Sequence, residues 1–180
     1  MVRKRVEQWL DEFIVGHNIC PFARRPLSQG LLKLLVLKGK REEDLTQTLL
    51  QALEDLVVSP RSELETTIIV IPHQLSDFDD FWSYWEWTRD ILIESGVEGL
   101  VQIVGFHPGF RFAGSEHEDA ANFVNRSPYP LLHLLREESV EEATEQHPDI
   151  TSIPERNALY LRRLNKIKLE ELVYGNDDRG

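Results

Sequence analysis

The sequence predicts an α/β fold, with a small sheet of about three strands, helical crossovers, and additional N-terminal and C-terminal helices. Three short apolar or β-branched runs, at residues 31–37, 66–71 and 100–106, alternate with two segments whose apolar residues recur at helical spacing. This alternation favours parallel strands joined by helices. The 180 residues suit one domain, 1–180, because no repeat or linker divides them. The alternative is an α+β two-layer sandwich with an antiparallel strand.

The first predicted element is an amphipathic helix close to the N-terminus. Gly16 follows its last apolar residue, at the position where a left-handed C-cap is expected. The first strand, residues 31–37, then lies between Gly30 and Gly39. The apolar positions that predict the helix are Val6, Trp9, Leu10, Phe13 and Ile14.

The second predicted helix connects the first two strands. Its leucines and alanine, between residues 45 and 56, share one helical face, and Ser59-Pro60 ends it. The strand at 66–71 follows, is rich in β-branched residues, and ends at Pro72.

The third predicted helix leads to the third strand and is rich in aromatic residues. Ser76 and Asp79 form a capping pair for this helix, which is expected to end at Gly96. Its aromatic side chains are interpreted as core. Exposure of Tyr84 or Trp87 would instead indicate a surface for a partner, because aromatic residues are enriched in protein interfaces.

The C-terminal part of the chain is predicted to be helical. Ser127-Pro128 is interpreted as the start of a helix through residue 136, with its leucines facing the core. A short helix is expected from Ser139, and a last one over residues 152–175. Residues 175–180 are expected to form a loose tail.

Composition excludes several functional classes. The formal net charge of −11 argues against a broad nucleic-acid footprint, which needs a basic face. No apolar run approaches the roughly 20 residues that span a bilayer, so neither nucleic acid nor membrane is predicted as a partner. Acidic residues follow the basic start where a signal peptide would be apolar. The single cysteine excludes an internal disulfide and, with these features, predicts a cytoplasmic protein.

Polar residues follow all three predicted strands. Lys38 and Lys40 come after the first strand, His73 after the second and His107 after the third. If the strands are parallel, their carboxyl ends meet at one edge, where ligands bind in open α/β sheets. The long segment after His107 would then fold over that edge.

That segment, residues 104–137, is predicted to be a functional site, because its hydrogen-bonding side chains lie next to aromatic residues or prolines. His107 and His133 are the candidate catalytic proton carriers. Asn125 and Arg126 precede a predicted helix N-terminus, which favours an anion, and Arg136 would share a helical face with His133. A buried ion-pair network is the structural alternative. The substrate-binding candidates are His17, Arg111, Asn122, Asn125, Arg126 and Arg136.

Cys20 is a candidate nucleophile. His17 precedes it and Arg24 and Arg25 follow it, a neighbourhood expected to lower the pKa of the thiol. The alternative interpretation is a small buried hydrophobic residue. No metal site is predicted, because the chain lacks paired cysteines and the H-E-x-x-H motif. The alternative is a zinc or iron site whose ligands, His17, His107, His133 and Cys20, come from separate segments. The sequence does not identify a cofactor.

Five motifs resemble those of an uncharacterised bacterial family classed as a domain of unknown function. They are C-P-F-A at 20–23, F-H-P at 106–108, N-R-S-P-Y-P at 125–130, L-H-L-L-R-E at 132–137 and P-E-R-N at 154–157. The resemblance spans most of the chain and implies no activity, cofactor or catalytic residue. It adds Arg156, within P-E-R-N, to the substrate-binding candidates.

Two functional hypotheses follow from these residues. The first is a small cytoplasmic enzyme that acts on an anionic metabolite carrying a phosphate or carboxylate. In this hypothesis arginines hold the anion, and His107, with His133, transfers a proton. The second is a non-catalytic module that binds an anionic ligand or a protein partner. The sequence identifies neither the reaction nor the ligand.

Overall fold

A computed structural model describes residues 1–146 and 150–175 of the chain. It confirms the α/β class, because helices cover both faces of a mixed sheet. The sheet has four strands, namely β1 (Leu32–Val36), β2 (Thr66–Val70), β3 (Val101–Phe106) and β4 (Leu131–Arg136). Their order is β1-β2-β4-β3, in which β1 and β2 are parallel and β4 is antiparallel to both of its neighbours. Strands β1, β2 and β3 therefore end at one edge.

Strand β4 lies where a helix was predicted over residues 127–136, and that prediction is wrong. Leu131, Leu132 and Leu134 are fully buried between two neighbouring strands. Consecutive buried leucines leave no polar stripe for an amphipathic helix and are typical of a strand covered on both faces. The sheet consequently has four strands rather than about three.

Seven α-helices are present in the described part of the chain. Helices α3 and α4 pack on one sheet face, while α1, α6 and α7 pack on the other. The helices are α1 (Val2–Gln8), which continues as a π-helix (Trp9–Val15), α2 (Arg24–Ser28), α3 (Glu42–Val58), α4 (Phe78–Glu94), α5 (Glu137–Gln146), α6 (Ile153–Arg162) and α7 (Lys166–Tyr174). Short 3-10 helices occur at Ala120–Asn125 and Ile150–Ser152.

Helix ends differ from the predictions at four places. Gly16, predicted as a left-handed C-cap, has φ −62° and ψ −39° and is in the right-handed helical region. The cap of α4 is Asp77 rather than Ser76, because the Asp77 carboxylate accepts hydrogen bonds from two amides of the first turn. Helix α5 begins at Glu137, directly after β4. The single helix predicted over 152–175 is two helices, since the side chain of Asn165 caps the start of α7.

The C-terminal tail predicted at 175–180 lies, apart from Gly175, outside the described residues. Within the described residues, no helix combines the length and apolarity needed to cross a bilayer.

Candidate functional site

A cavity of about 300 Å³ lies at the edge of the sheet where β1, β2 and β3 end. One wall comes from the start of α4, and the other from the loop that leaves β3. We call residues 107–119 the cavity loop. The lining residues are Ser76, Asp77, Phe78, Asp79, His107, Pro108, Gly109, Arg111 and His117.

His107 forms the floor of the cavity and is 2% exposed. The Gly109 amide donates to its Nδ1 atom (2.9 Å), so the ring proton resides on Nε2, which donates to the Leu75 carbonyl oxygen (3.0 Å). Burial lowers the pKa of His107, although nearby carbonyl groups and the charge of Asp77 oppose this effect. The ring is therefore neutral at pH 7, and both of its nitrogen atoms are already hydrogen bonded.

The hydrogen bond from His107 also stabilises a backbone conformation of Leu75 that is rare for this residue type. Leu75 has φ +52°, in the left-handed region that residues with a branched side chain seldom adopt. Because its carbonyl oxygen accepts from the His107 ring, the histidine holds this turn against the start of α4. His107, the predicted proton carrier, thus connects the end of β3 to the turn before α4 through this hydrogen bond.

Arg126 and Asn122 fix the conformation of the cavity loop through hydrogen bonds. Arg126 donates to the carbonyl oxygens of Phe110 (3.1 Å) and His117 (2.7 Å), and its guanidinium lies 4.7 Å from the centre of the Phe123 ring. It is 5% exposed. A buried guanidinium whose donors point to backbone carbonyls is satisfied without any external anion.

Asn122 is fully buried and bonds to the same loop through both ends of its amide. Its oxygen accepts from the Phe112 amide (3.1 Å) and the Ser115 hydroxyl (2.8 Å), and its nitrogen donates to the Glu116 carbonyl (2.9 Å). Its substitution would remove these hydrogen bonds to the loop and leave the space of a buried side chain to be filled. The loop is therefore fixed at several points along its length.

Asn125 closes the end of β3 in a similar way. Its side-chain amide donates to the Gly105 carbonyl oxygen (3.3 Å), and its own carbonyl accepts from the His107 amide (3.1 Å). Gly105 is required at this point, because a Cβ atom there would lie 2.7 Å from the Trp85 ring. Asn125 thus positions the start of the cavity loop and does not line the cavity.

Two basic side chains of the cavity loop remain available to a ligand. Within the described residues, Arg111 is exposed and makes neither an ion pair nor a hydrogen bond through its guanidinium. His117 is exposed beside it, and its Nδ1 atom lies 3.1 Å from Oε1 of Glu118. Glu118 in turn pairs with Lys166 of α7. The Nε2 atom of His117 is therefore the imidazole nitrogen left for a ligand at this cavity.

Two carboxylates lie across the cavity from Arg111 and His117. Asp77 accepts from the amides of Asp79 (2.9 Å) and Asp80 (3.2 Å), so the side chain already satisfies the start of α4. Asp79 is the second acidic lining residue. An anion is disfavoured at this wall by both charges, and the favourable position is the opposite wall, at Arg111 and His117.

His133 and Arg136 are not part of the cavity and do not share a face. They lie three residues apart in β4, so their side chains point to opposite faces of the sheet. His133 Nε2 lies 2.8 Å from the Thr66 hydroxyl, and burial lowers its pKa to about 4. Arg136 donates to the carbonyl oxygens of Ser59 (2.7 Å) and Leu64 (2.9 Å), which follow α3.

Cys20 and His17 lie on the other sheet face, in a segment that we call the N-terminal turn, residues 16–23. The predicted lowering of the Cys20 pKa is wrong, because burial raises the pKa of this thiol despite nearby amides of Phe22 and Ala23. His17 Nδ1 contacts the Tyr160 hydroxyl (2.6 Å) rather than the sulfur.

Arg156 and its neighbour Asn157 hold the N-terminal turn in place. Arg156 donates to the Asn18 carbonyl (2.8 Å) and to the Asn157 side-chain oxygen (2.9 Å). Asn157, 3% exposed, donates to the Ile19 carbonyl (2.7 Å). The segments that carry the motifs C-P-F-A and P-E-R-N are far apart in the sequence. These hydrogen bonds join them in the fold.

Of the ten predicted site residues, the structure brings two, His107 and Arg111, to one cavity. Sequence analysis missed His117, Asp77 and Asp79 as lining residues. His117 falls within the predicted loop, and its adjacent Glu118 is the signal that could have identified it. Among the described residues, no group of three or more His, Cys, Asp or Glu side chains is arranged to hold a metal ion.

Comparison with known proteins identifies a family without an assigned role. The family described as protein of unknown function DUF1415 matches residues 1–171. The chain belongs to this family. No match was found among the curated proteins or the solved structures.

Proposed function

We propose that this family member binds an anionic small molecule, carrying a carboxylate or a phosphate, in the cavity at the carboxyl edge of the sheet. Arg111 carries this proposal. It is the cavity arginine, it has no partner in the described part of the chain, and it lies on a loop that buried side chains hold still. Because the loop backbone is fixed before binding, only the Arg111 side chain has to be ordered when it pairs with an anion.

Charge balance in the cavity restricts the ligand. Arg111 faces Asp77 and Asp79, so the cavity carries one guanidinium and two carboxylates. A ligand with one anionic group can contact Arg111 while it avoids the carboxylates. A polyphosphate or nucleic acid would meet repulsion from Asp77 and Asp79 and from the net charge of −11.

Binding without catalysis is the simpler function for these residues. His107 has no free nitrogen, and Cys20 lies on the other face of the sheet with its pKa raised. A cytoplasmic location belongs to this proposal as well, because the lone cysteine forms no internal disulfide.

A second candidate function is proton transfer by His117, favoured by its contact with Glu118. A carboxylate at Nδ1 holds the proton there and leaves Nε2 as an acceptor directed by the loop. In this candidate, Arg111 binds the substrate anion and His117 removes a proton from it. The two functions differ in whether a His117→Gln variant retains binding while it loses turnover.

A thermal-shift screen of carboxylated and phosphorylated metabolites tests the proposal. A ligand that raises the melting temperature of the wild type should have an affinity lowered roughly 10-fold to 150-fold by Arg111→Met, equivalent to about 1.5 to 3 kcal/mol. Arg24→Met, at an exposed arginine of α2, is the matched control and should bind normally. Equal affinity in the Arg111 variant would place the ligand elsewhere.

A further inference from the structure

We infer that the outer face of α4 is an interface between two copies of this chain, related by a two-fold axis across the helix. A groove of about 360 Å³ runs between α4 and β3, which is an edge strand of the sheet. Seven residues of α4 line this groove, and the four exposed ones are spaced by four, three and four residues, so they share one helical face. They are Trp82, Glu86, Arg89 and Ile93.

The apolar members of this face are unusually exposed. Trp82 is 39% exposed and Ile93 is 54% exposed, and Trp87 on the adjoining face is 41% exposed. Tyr84, by contrast, is buried in the core. The exposure of Trp87 meets the condition under which the sequence indicated a partner surface, but Trp87 does not line this groove. The exposed aromatic residue of the inferred face is Trp82, and aromatic residues are enriched in interfaces.

The symmetric placement of Glu86 and Arg89 on α4 favours a second copy of this chain as the partner. Glu86 and Arg89 lack an ion pair within the described residues of their own chain. A two-fold interface must be complementary to itself. If two α4 helices cross antiparallel about a point between Trp87 and Thr88, Glu86 of each copy lies opposite Arg89 of the other.

The same axis also matches the apolar positions. The midpoint between Trp82 and Ile93 along α4 is the same as the midpoint between Glu86 and Arg89. About this axis, Trp82 of one copy therefore lies opposite Ile93 of the other. One axis thus satisfies two ion pairs and two apolar contacts. A second copy repeats this symmetric spacing on its own α4, whereas an unrelated peptide does not.

The open edge of β3 is less suited to the contact than α4. The Trp85 indole donates to the Ile103 carbonyl oxygen (3.0 Å), and the Asn125 amide donates to the Gly105 carbonyl oxygen (3.3 Å). An added strand would compete with both bonds. Side chains that cover an edge in this way oppose strand addition, so the inferred contact is between helices.

Charge reversal tests the inference in a form that only an intermolecular contact can satisfy. In Glu86→Arg, four positive side chains meet at the interface, and in Arg89→Glu four negative ones meet. Each variant alone should be monomeric by sedimentation velocity. An equimolar mixture should form a heterodimer, because every facing pair is then of opposite charge.

The wild type should dimerise in a concentration-dependent manner, with a dissociation constant on the order of micromolar for so small a surface. Glu12→Arg, on the opposite face of the sheet, is the control and should dimerise like the wild type. Melting curves would verify that every variant is folded. A monomeric wild type at about 200 µM, dimers of both single variants, or a mixture that stays monomeric would each overturn the inference.

Discussion

The cavity loop and the N-terminal turn are constructed alike but leave different groups free. Each is held by a buried asparagine and an adjacent or nearby arginine that bond to backbone carbonyls, namely Asn122 with Arg126 and Asn157 with Arg156. The cavity loop leaves the Arg111 guanidinium without a partner beside a cavity. In the N-terminal turn, His17 bonds to Tyr160, and burial disfavours the Cys20 thiolate.

This difference separates two roles that polar residues play in one chain. Buried polar side chains that bond to backbone fix the conformation of a loop, and their loss is felt as lost stability. Exposed polar side chains without partners cost little to replace and are available to a ligand. Stability and binding measurements on matched variants can therefore distinguish the two roles.

The largest expected effect is on the support of the cavity loop. Arg126→Met removes two hydrogen bonds from a buried guanidinium to carbonyls of the cavity loop and should lower the free energy of unfolding by roughly 3 kcal/mol, since bonds of charged groups contribute about 1.5 to 3 kcal/mol each. Urea unfolding measures this change. A decrease in the free energy of unfolding below about 1 kcal/mol would mean that Arg126 does not stabilise the loop. Arg126 would then again be a candidate for anion binding.

The second effect is pH dependence from His133, on the sheet face that carries the N-terminal turn. Its pKa is about 4 when folded and 6.5 in the unfolded reference, so the unfolded chain binds the proton more readily between these values. Stability should fall as pH decreases from 7 to 4, with about 3 kcal/mol of the loss attributable to this group.

His133→Gln should reduce the slope of unfolding free energy against pH in that window, while its stability at pH 7 changes less. Urea melts of both proteins at pH 4.5, 5.5 and 7 provide the measurement. Parallel slopes in the two proteins would show that His133 is not the titrating group.

A smaller effect is expected in the N-terminal turn. Asn157→Ala removes the bond to the Ile19 carbonyl and should cost about 2 kcal/mol. The loosened turn should also let iodoacetamide reach Cys20 faster than in the wild type. Asn165→Ala, at the cap of α7, should lower stability by about 1 kcal/mol without changing the alkylation rate. Equal alkylation rates in the wild type, Asn157→Ala and Asn165→Ala would show that Asn157 does not limit access to Cys20.

The smallest stability effect is expected for the residue proposed to bind the ligand. Arg111→Met should change the free energy of unfolding by less than about 0.5 kcal/mol, because an exposed residue without partners contributes little. A loss as large as that of Arg126→Met would assign both arginines to structure and remove the distinction between them.

Local patterns predicted most of the fold but not its central strand. Helical periodicity and β-branched runs are properties of neighbouring residues, and they correctly predicted β1, β2, β3 and the helices between them. Strand β4 is apolar on both faces and carries no period. Its assignment depends on burial between β2 and β3, which is set by residues at least 25 positions away.

The sequence does not show which of the predicted site residues already have hydrogen-bond partners within the fold. Residue type marks Arg126 and Arg111 as equal anion ligands, yet the first is bonded to carbonyls 9 and 16 residues away. Arg136 is likewise bonded to the Leu64 carbonyl, 72 residues away. Whether a guanidinium is already satisfied is a property of the tertiary fold, which local sequence does not encode.

Titration of the His117 ring by NMR tests the binding proposal most directly. Inorganic phosphate and acetate are added separately to the wild type and to Arg111→Met, and the ring carbon-bound protons of His117 report on the cavity. At least one anion should shift these signals saturably in the wild type and not in the variant, with His17 unaffected in both. Unchanged His117 signals in the wild type, or equal shifts in Arg111→Met, would contradict the proposed anion site.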